Sequence, residues 1–288
     1  MTPRAIIGVD LGGTHVRSGR VEGQNIISHA SKAISAKAAA QVVIDEICGT
    51  IDAVFLRNDT AGIGIGVPSL VDTEKGIVYT VENIPSWKEV HLKEILEERY
   101  RVPVHVNNDA NCFALGEFHF GKGRGLRHMV GLIVGTGLGA GIIVNGRLYS
   151  GANCGAGEIG AIPYREKTIE GYVSGTGLKN IYGASGEDLC ERAGRKDAQA
   201  LEIFSSFGKD FGHAVQTVLY AFDPELIVLG GSVSKAFRFY ESAMKEQLKS
   251  FAYPHALARL KIQVSEEPRI ALLGAAALCL DAAAPKVC

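Results

Sequence analysis

The chain lacks an excess of charge of either sign: 30 lysines and arginines face 31 aspartates and glutamates among 288 residues. Without a basic surplus there is no electrostatic footprint for nucleic acid or for an anionic membrane surface, so neither is expected as a partner. Long apolar runs are also missing, and nothing approaches the roughly 20 residues needed to span a bilayer. The opening MTPRAIIG has none of the shape of a secretory signal, which makes a cytoplasmic protein the expectation. Six cysteines (Cys48, Cys112, Cys154, Cys190, Cys279 and Cys288) include no C-x-x-C pair and no nearby pair of histidines. That spacing argues against a structural zinc site and against a disulfide framework. Cys154, in SGANCGAGE, could be a nucleophile but reads as an inert thiol in a reducing compartment. The pattern G-x-x-x-x-G-K-[ST] does not occur: Lys122 and Lys209 follow glycines but precede Gly and Asp, which excludes a P-loop.

What is present points to two lobes. At 288 residues and 47% hydrophobic, the chain can bury one large core or two moderate ones. An approximate internal repeat supports the second option. Residues 5–22 read as strand, glycine turn, strand (AIIGVD, LGGT, HVRSGRVE), and residues 129–146 read likewise (MVGLIV, GTGLGAG, IIVNG). The second hairpin ends in Asn145-Gly146, suited to a turn whose two central residues both need positive φ; Glu22-Gly23 is a weaker version of that cue.

Between and after the hairpins, strands alternate with helices. Helices are expected over 38–55, 87–100, from 109 onward, near 176–193, 197–221 and 234–251, and in the closing apolar stretch. Strands are expected over 61–67, 102–107, 226–231 and 260–265. Such interleaving means an α/β architecture with covered sheets. Low-complexity segments are absent and the 35 glycines concentrate at turns, so the lobe boundary is expected within 108–125, as a hinge rather than a tether.

GTGLGAG superficially suggests a dinucleotide loop, but that fold needs a helix after the glycines, and here the β-branched IIVNGR follows. What remains is a glycine-rich hairpin whose exposed amides can cradle phosphate oxygens. Two such hairpins could grip a polyphosphate from both sides. An aspartate beside an anion nest would repel phosphate unless a cation intervened; Asp10 then holds Mg²⁺ through water while Gly12, Gly13 and Thr14 supply donors. The bland alternative is that Asp10 merely caps its turn.

In VNNDANCFALGE, Asn107–Asp109 stand at the carboxyl end of a strand, where open α/β sheets present ligand groups. Asp109 there could orient a sugar hydroxyl and accept its proton, or could simply be a helix N-cap. Glu158 and Glu170 lie near glycines; carboxylates accept paired hydroxyls well, though solvated loop acids are the plain reading. Asn83, in ENIPSW beside Trp87, is a further candidate.

Together, DLGGTHVR, NNDAN, GTGLGAGIIVNG, GANCGAGEIG, EGYVSG and FDPELIVLGG, in that order, resemble the ROK family of sugar kinases over nearly the whole chain. The resemblance implies a two-lobed actin-like ATPase fold of the ribonuclease H type with an interlobe cleft. It also implies ATP and Mg²⁺, phosphorylation of a hexose or N-acetylhexosamine at O6, and a homodimer. It implies residues 1–115 as the sugar-side lobe with the first phosphate loop. Residues 116–271 would form the lobe with the second loop and the adenosine site, and a last helix over about 272–288 would pack back on the first lobe. On this resemblance Asp109 is the catalytic base; Asn83, Asn108, Glu158 and Glu170 contact sugar; Asp10, Gly12, Gly13 and Thr14 form the first phosphate loop. Gly135, Thr136 and Gly137 form the second, and Gly230, Gly231 and Ser232 lie beside adenosine.

The chain departs from the family where a histidine and a cysteine-rich zinc cluster are usual. Ala161 stands in place of the histidine, and only AIPYREKTI separates Gly160 from Glu170, so no structural zinc is expected and Ile162, Pro163 and Tyr164 should hold the shortened loop by packing. Some relatives are repressors with a DNA-binding segment before the first loop; only five residues precede Ile6 here, so a regulator or a non-catalytic sugar sensor of the same family is the lesser alternative.

Overall fold

The computed structural model describes residues 5–283. Its first element is the expected hairpin: β1 (Ala5–Leu11) pairs antiparallel with β2 (His15–Glu22), and β3 (Asn25–Ala33) follows. Helix α1 (Ala40–Asp52) leads to β4 (Thr60–Val67), which pairs parallel with β1. Three strands form a separate small sheet: β5 (Val71–Asp72), β6 (Ile77–Val81) and β7 (Ile84–Val90). Helix α2 (Leu92–Tyr100), β8 (Val104–Asn108) and α3 (Asp109–Phe120) complete this run, giving the main sheet the order β3-β2-β1-β4-β8.

Residues 87–90 are strand, not the start of a helix. On β7 the buried residues are Ile84, Trp87 and Val90, one in every three, and that spacing imitates a helical face.

The second hairpin is β9 (Met129–Val134) with β10 (Leu138–Val144). Asn145 (φ 53°) and Gly146 (φ 75°) both take the left-handed conformation the dipeptide predicts. After the short β11 (Arg147–Leu148), a small hairpin pairs β12 (Pro163–Tyr164) with β13 (Lys167–Thr168). The helix expected over 176–193 is two helices, α4 (Gly175–Tyr182) and α5 (Gly186–Gly194). The break falls at Gly183 in a left-handed C-cap, and Ser185 then caps α5 by accepting from the Asp188 amide. Helix α6 (Ala198–Phe222) precedes β14 (Leu226–Gly230). The helix expected over 234–251 is a short 3₁₀ turn followed by α7 (Phe237–Leu248). Then come α8 (Pro254–Leu257), β15 (Lys261–Val264) and α9 (Ile270–Ala283). The residues of the expected last helix beyond 283 lie outside the described residues.

Contacts divide the chain into two units. One takes the described residues through Gly125, Arg147–Ala156 and those from Glu267; the other takes Leu126–Gly146 and Gly157–Glu266. In the first unit, α9 is apolar around its circumference because it is covered on several sides, by β1, β4 and α3. The approach is close enough to require glycine. A Cβ on Gly64 would lie 1.8 Å from the Ala275 carbonyl oxygen, and one on Gly274 would lie 1.6 Å from that of Cys112.

Candidate functional site

In the first unit β1, β4 and β8 run parallel, so their carboxyl ends share one edge. The register sets Asp10 opposite Gly66 and Gly66 opposite Asn107, which puts the first loop and the Asn107–Asp109 segment two strands apart, about 10 Å. This is the edge at which open sheets of this kind bind ligands. Across the hairpin Asp10 faces Arg17, whose Nη1 donates to Oδ2 at 3.2 Å. Burial pushes the Asp10 carboxyl above its usual range, and Arg17 pulls it part of the way back. The pair opens on a cavity of about 230 Å³ that Ser31, His29 and Arg269 also line. The Gly12 amide closes the turn on the His15 carbonyl at 2.9 Å, and the Thr14 hydroxyl lies 3.1 Å from His15 Nδ1. Asn83 is brought to the same loop: a Cβ on Gly13 would lie 3.1 Å from its Nδ2.

Asn108 and Asp109 divide the roles at the start of α3. Asn108 is the N-cap, accepting from the Ala110 amide at 2.8 Å, and its Nδ2 donates to the Ser69 carbonyl at 3.3 Å. Asp109 is the first helical residue, and its Oδ1 also accepts from Ala110 at 2.9 Å. A carboxylate in that first turn is favoured by the helix dipole. Beneath it lies a buried network: Asn107 Oδ1 accepts from the Asn108 amide at 2.8 Å, Asn111 Nδ2 at 2.9 Å and the Cys154 thiol at 3.2 Å. The Cys112 thiol is pushed well up by its burial, and further by both Asp109 and Asp10.

In the second unit the corresponding edge carries the other loop. The amide of Gly135 donates to the Gly137 carbonyl at 3.0 Å, closing the turn after β9. Gly230–Ser232 leaves the adjacent parallel strand β14, and a Cβ on Gly231 (φ 85°) would lie 2.4 Å from the Val134 oxygen. The amides of Gly175 and Thr176, opening α4, donate to the carbonyls of Gly135 (2.7 Å) and Thr136 (3.1 Å). Glu170 braces the loop as well, its Oε2 accepting from the Leu138 amide at 2.7 Å. Glu158 is partly exposed, yet burial of the remainder and then the neighbouring Glu170 push its carboxyl above the usual range. The backbone joins the two directly: the Glu170 amide donates to the Gly160 carbonyl at 2.9 Å.

The shortened loop is held otherwise than expected. Ile162 and Pro163 are exposed and Tyr164 is half-buried, while Ile169 at the other end of the loop is the residue that packs fully inward. Sequence reasoning also missed Arg17, although hairpin register alone places it opposite Asp10, and the Asn111–Cys154 network, which no local pattern signals. Among the described residues no group of three or more His, Cys, Asp or Glu could hold a metal ion. The donor set at the first loop is a single carboxylate with one oxygen already bonded to Arg17. It fits Mg²⁺ held through water rather than by several protein ligands.

Two sheets of matching order, β2-β1-β4-β8 and β10-β9-β14-β15, each with a glycine hairpin loop at its carboxyl edge, define a duplicated ribonuclease H-like core, the actin-like ATPase class. The ROK family profile matches residues 6–282, and the chain belongs to the ROK family. It is 30% identical over 311 residues to a glucokinase of Halalkalibacterium halodurans, with 95% of this chain and 92% of that protein covered. To a glucokinase of Thermotoga maritima it is 29% identical over 305 residues, covering 95% and 96%. A ROK family glucokinase from Streptomyces griseus, solved with glucose and AMPPNP, superposes with a TM-score of 0.80 at 27% identity, covering 95% of this chain and 98% of that one.

Proposed function

We propose that the protein is an ATP-dependent sugar kinase that phosphorylates a monosaccharide, a hexose or N-acetylhexosamine, at its primary 6-hydroxyl. The observation that carries this reading is the register of the first unit's sheet, which sets the Asp10 loop and Asp109 two strands apart at one carboxyl edge. A phosphate grip and a proton acceptor about 10 Å apart on one edge leave room between them for a phosphoryl group passing from a nucleotide to a hydroxyl.

In the proposed reaction Asn83, Asn108, Glu158 and Glu170 bind sugar hydroxyls, and Asp109 accepts the proton of the attacking one. The new bond joins that oxygen to the γ-phosphorus as the bond to the β-phosphate oxygen breaks and ADP leaves; Asp109 then returns its proton to solvent. Gly12, Gly13, Thr14 and Gly135–Gly137 give backbone and hydroxyl donors to the phosphates, while Gly230–Ser232 lies beside the adenosine. Mg²⁺, held by Asp10 through water, would offset phosphate charge. Arg17 keeps Asp10 neutralised in the absence of that cation. The family resemblance further supports a homodimer in the cytoplasm; among the described residues no helix is long and apolar enough to cross a membrane.

The test is ADP release measured with and without glucose, mannose, allose, fructose, N-acetylglucosamine and N-acetylmannosamine. At least one sugar should raise turnover, and Asp109→Asn should lower it at least about a hundredfold with ATP binding retained. Near-native turnover in that variant removes Asp109 from its role, and ADP release indifferent to every sugar overturns the kinase reading.

A further inference from the structure

Glu158 and Glu170 repel each other, yet the fold holds them together with only eleven residues between them. The segment joining them is the β12–β13 hairpin, in which Pro163 pairs with Thr168 and Tyr164 with Lys167. Its ladder continues toward the two acids: the Ile169 amide donates to the Ile162 carbonyl at 2.9 Å, and that of Glu170 to Gly160. A two-residue ladder is too short to be stable alone, so something must hold its tip.

That anchor is Asp210, 7% exposed on α6. The Tyr164 hydroxyl donates to Asp210 Oδ1 at 2.9 Å, and Arg165 Nη2 reaches the same oxygen at 2.8 Å. Tyr164 stacks on His213, one turn further along α6, with ring centroids 4.4 Å apart and planes at 21°. Tyr172 meets the Tyr164 ring edge-on at 5.4 Å, and the Arg165 guanidinium lies 4.8 Å from the Tyr164 centroid and 5.4 Å from that of Tyr172. Burial, followed by the bond to Asp210, pushes the Tyr164 hydroxyl up to about 12, so it stays a donor at neutral pH. One buried carboxylate thus satisfies both residues at the hairpin tip, and an aromatic stack fixes the direction of approach.

We infer that Asp210 is a positioning residue for sugar recognition: through Tyr164 and Arg165 it pins the hairpin that keeps Glu158 and Glu170 together as a paired hydroxyl acceptor. The inference rests on the kinase reading for its consequence, though not for its structural content. The polar partners of Asp210 are Tyr164 and Arg165 rather than either acid, so its hydrogen bonds act on the acids through the hairpin; α6 also packs against the turn Ile159–Ala161, a contact that Asp210→Ala leaves in place. Glu170 keeps its own bond to the Leu138 amide, which leaves the second phosphate loop braced when the latch is cut.

The experiment compares wild type with Asp210→Ala, Tyr164→Phe and Tyr164→Ala by amide exchange and steady-state kinetics. In Asp210→Ala and Tyr164→Ala, the amides of residues 158–172 should exchange faster while those of β9 and β14 keep their protection. KM for the sugar should rise about tenfold or more, as expected when an oriented group is displaced, with KM for ATP changed less than about twofold. Tyr164→Phe, which keeps the stack and loses only the hydroxyl, should fall between. The double alanine variant should be no worse than either single one, because both cut the same link. A merely structural role would instead lower the melting temperature and the active fraction with sugar KM unmoved. Unchanged exchange over 158–172 in Asp210→Ala, or in Tyr164→Ala should the first variant not fold, overturns the inference. If wild type phosphorylates none of the sugars, the kinase reading fails while the exchange data still decide the latch.

Discussion

Glu158 carries an electrostatic cost in the folded chain. Its folded-state carboxyl holds a proton more tightly than it would in the unfolded chain, from burial first and Glu170 second. The charged form therefore costs stability above that raised value, and the cost is relieved as pH falls through it. Because Glu158 is largely exposed and its repulsion is screened, Glu158→Gln should raise the melting temperature at pH 7 only slightly, on the order of 1 °C, with the difference shrinking as pH falls toward 4. The same substitution should weaken sugar phosphorylation, since an amide offers one acceptor oxygen in place of two. A calorimetric scan of the variant at both pH values checks the sign; a lowered melting temperature at pH 7 contradicts the electrostatic account. Asp10 is shifted in the same direction, since burial outweighs Arg17, which pulls its carboxyl only part of the way back.

Among the elements, α9 carries the first unit. Its backbone lies directly on the sheet, with Gly64 admitting the Ala275 carbonyl, so no side chain separates helix from strand at that point. Gly64→Ala would drive a methyl group into a backbone oxygen, which neither partner can rotate away from. The expected cost is about 3 kcal/mol, the upper end of overpacking penalties, read as a fall in the urea midpoint with the slope unchanged. A variant as stable as wild type would mean that the helix can slide. The second unit has its own close packing, in which α6 and α7 bury an aromatic cluster of Phe204, Phe207, Phe211 and Tyr240.

For the whole molecule, the path of the chain matters more than any single contact. It passes between the two units four times, and the first unit is completed only by residues from Glu267 onward. Ending the chain after Glu266 would remove α9 and leave the apolar faces of β1, β4 and α3 uncovered. That truncated protein should be insoluble, or should lose cooperative unfolding by circular dichroism; a soluble, cooperatively unfolding product would show that the first unit stands without its last helix.

Much of this fold is legible in the sequence because its strongest signals are local. Alternation plus glycine marks both hairpins, and Asn145-Gly146 specifies its turn through the φ values it tolerates. The failures are local too, and have causes. Ile84, Trp87 and Val90 space their burial by three on an irregular strand, so they mimic a helix; α4 and α5 were separable at Gly183 and Ser185, where a C-cap and an N-cap signal follow one another. At the site, the acids and glycine loops are legible as residue types in turns. Their partners are not, Arg17 excepted: Asp210 lies 40 residues beyond Glu170 in the chain, and nothing around it distinguishes it from any other helical acid.

The sequence by itself determines the two glycine hairpins and the central parallel strands, where the backbone is bared by glycine, and which carboxylates stand beside those turns, since each follows from dihedral preference and periodicity within a dozen residues. Only the tertiary structure decides that Asp10 and Asp109 share one edge and that Asp210 pins the hairpin between Glu158 and Glu170. Those pairings depend on parallel strand register and helix docking, where a slip of one residue turns every side chain to the opposite face, and no local pattern encodes a contact between residues far apart in the chain.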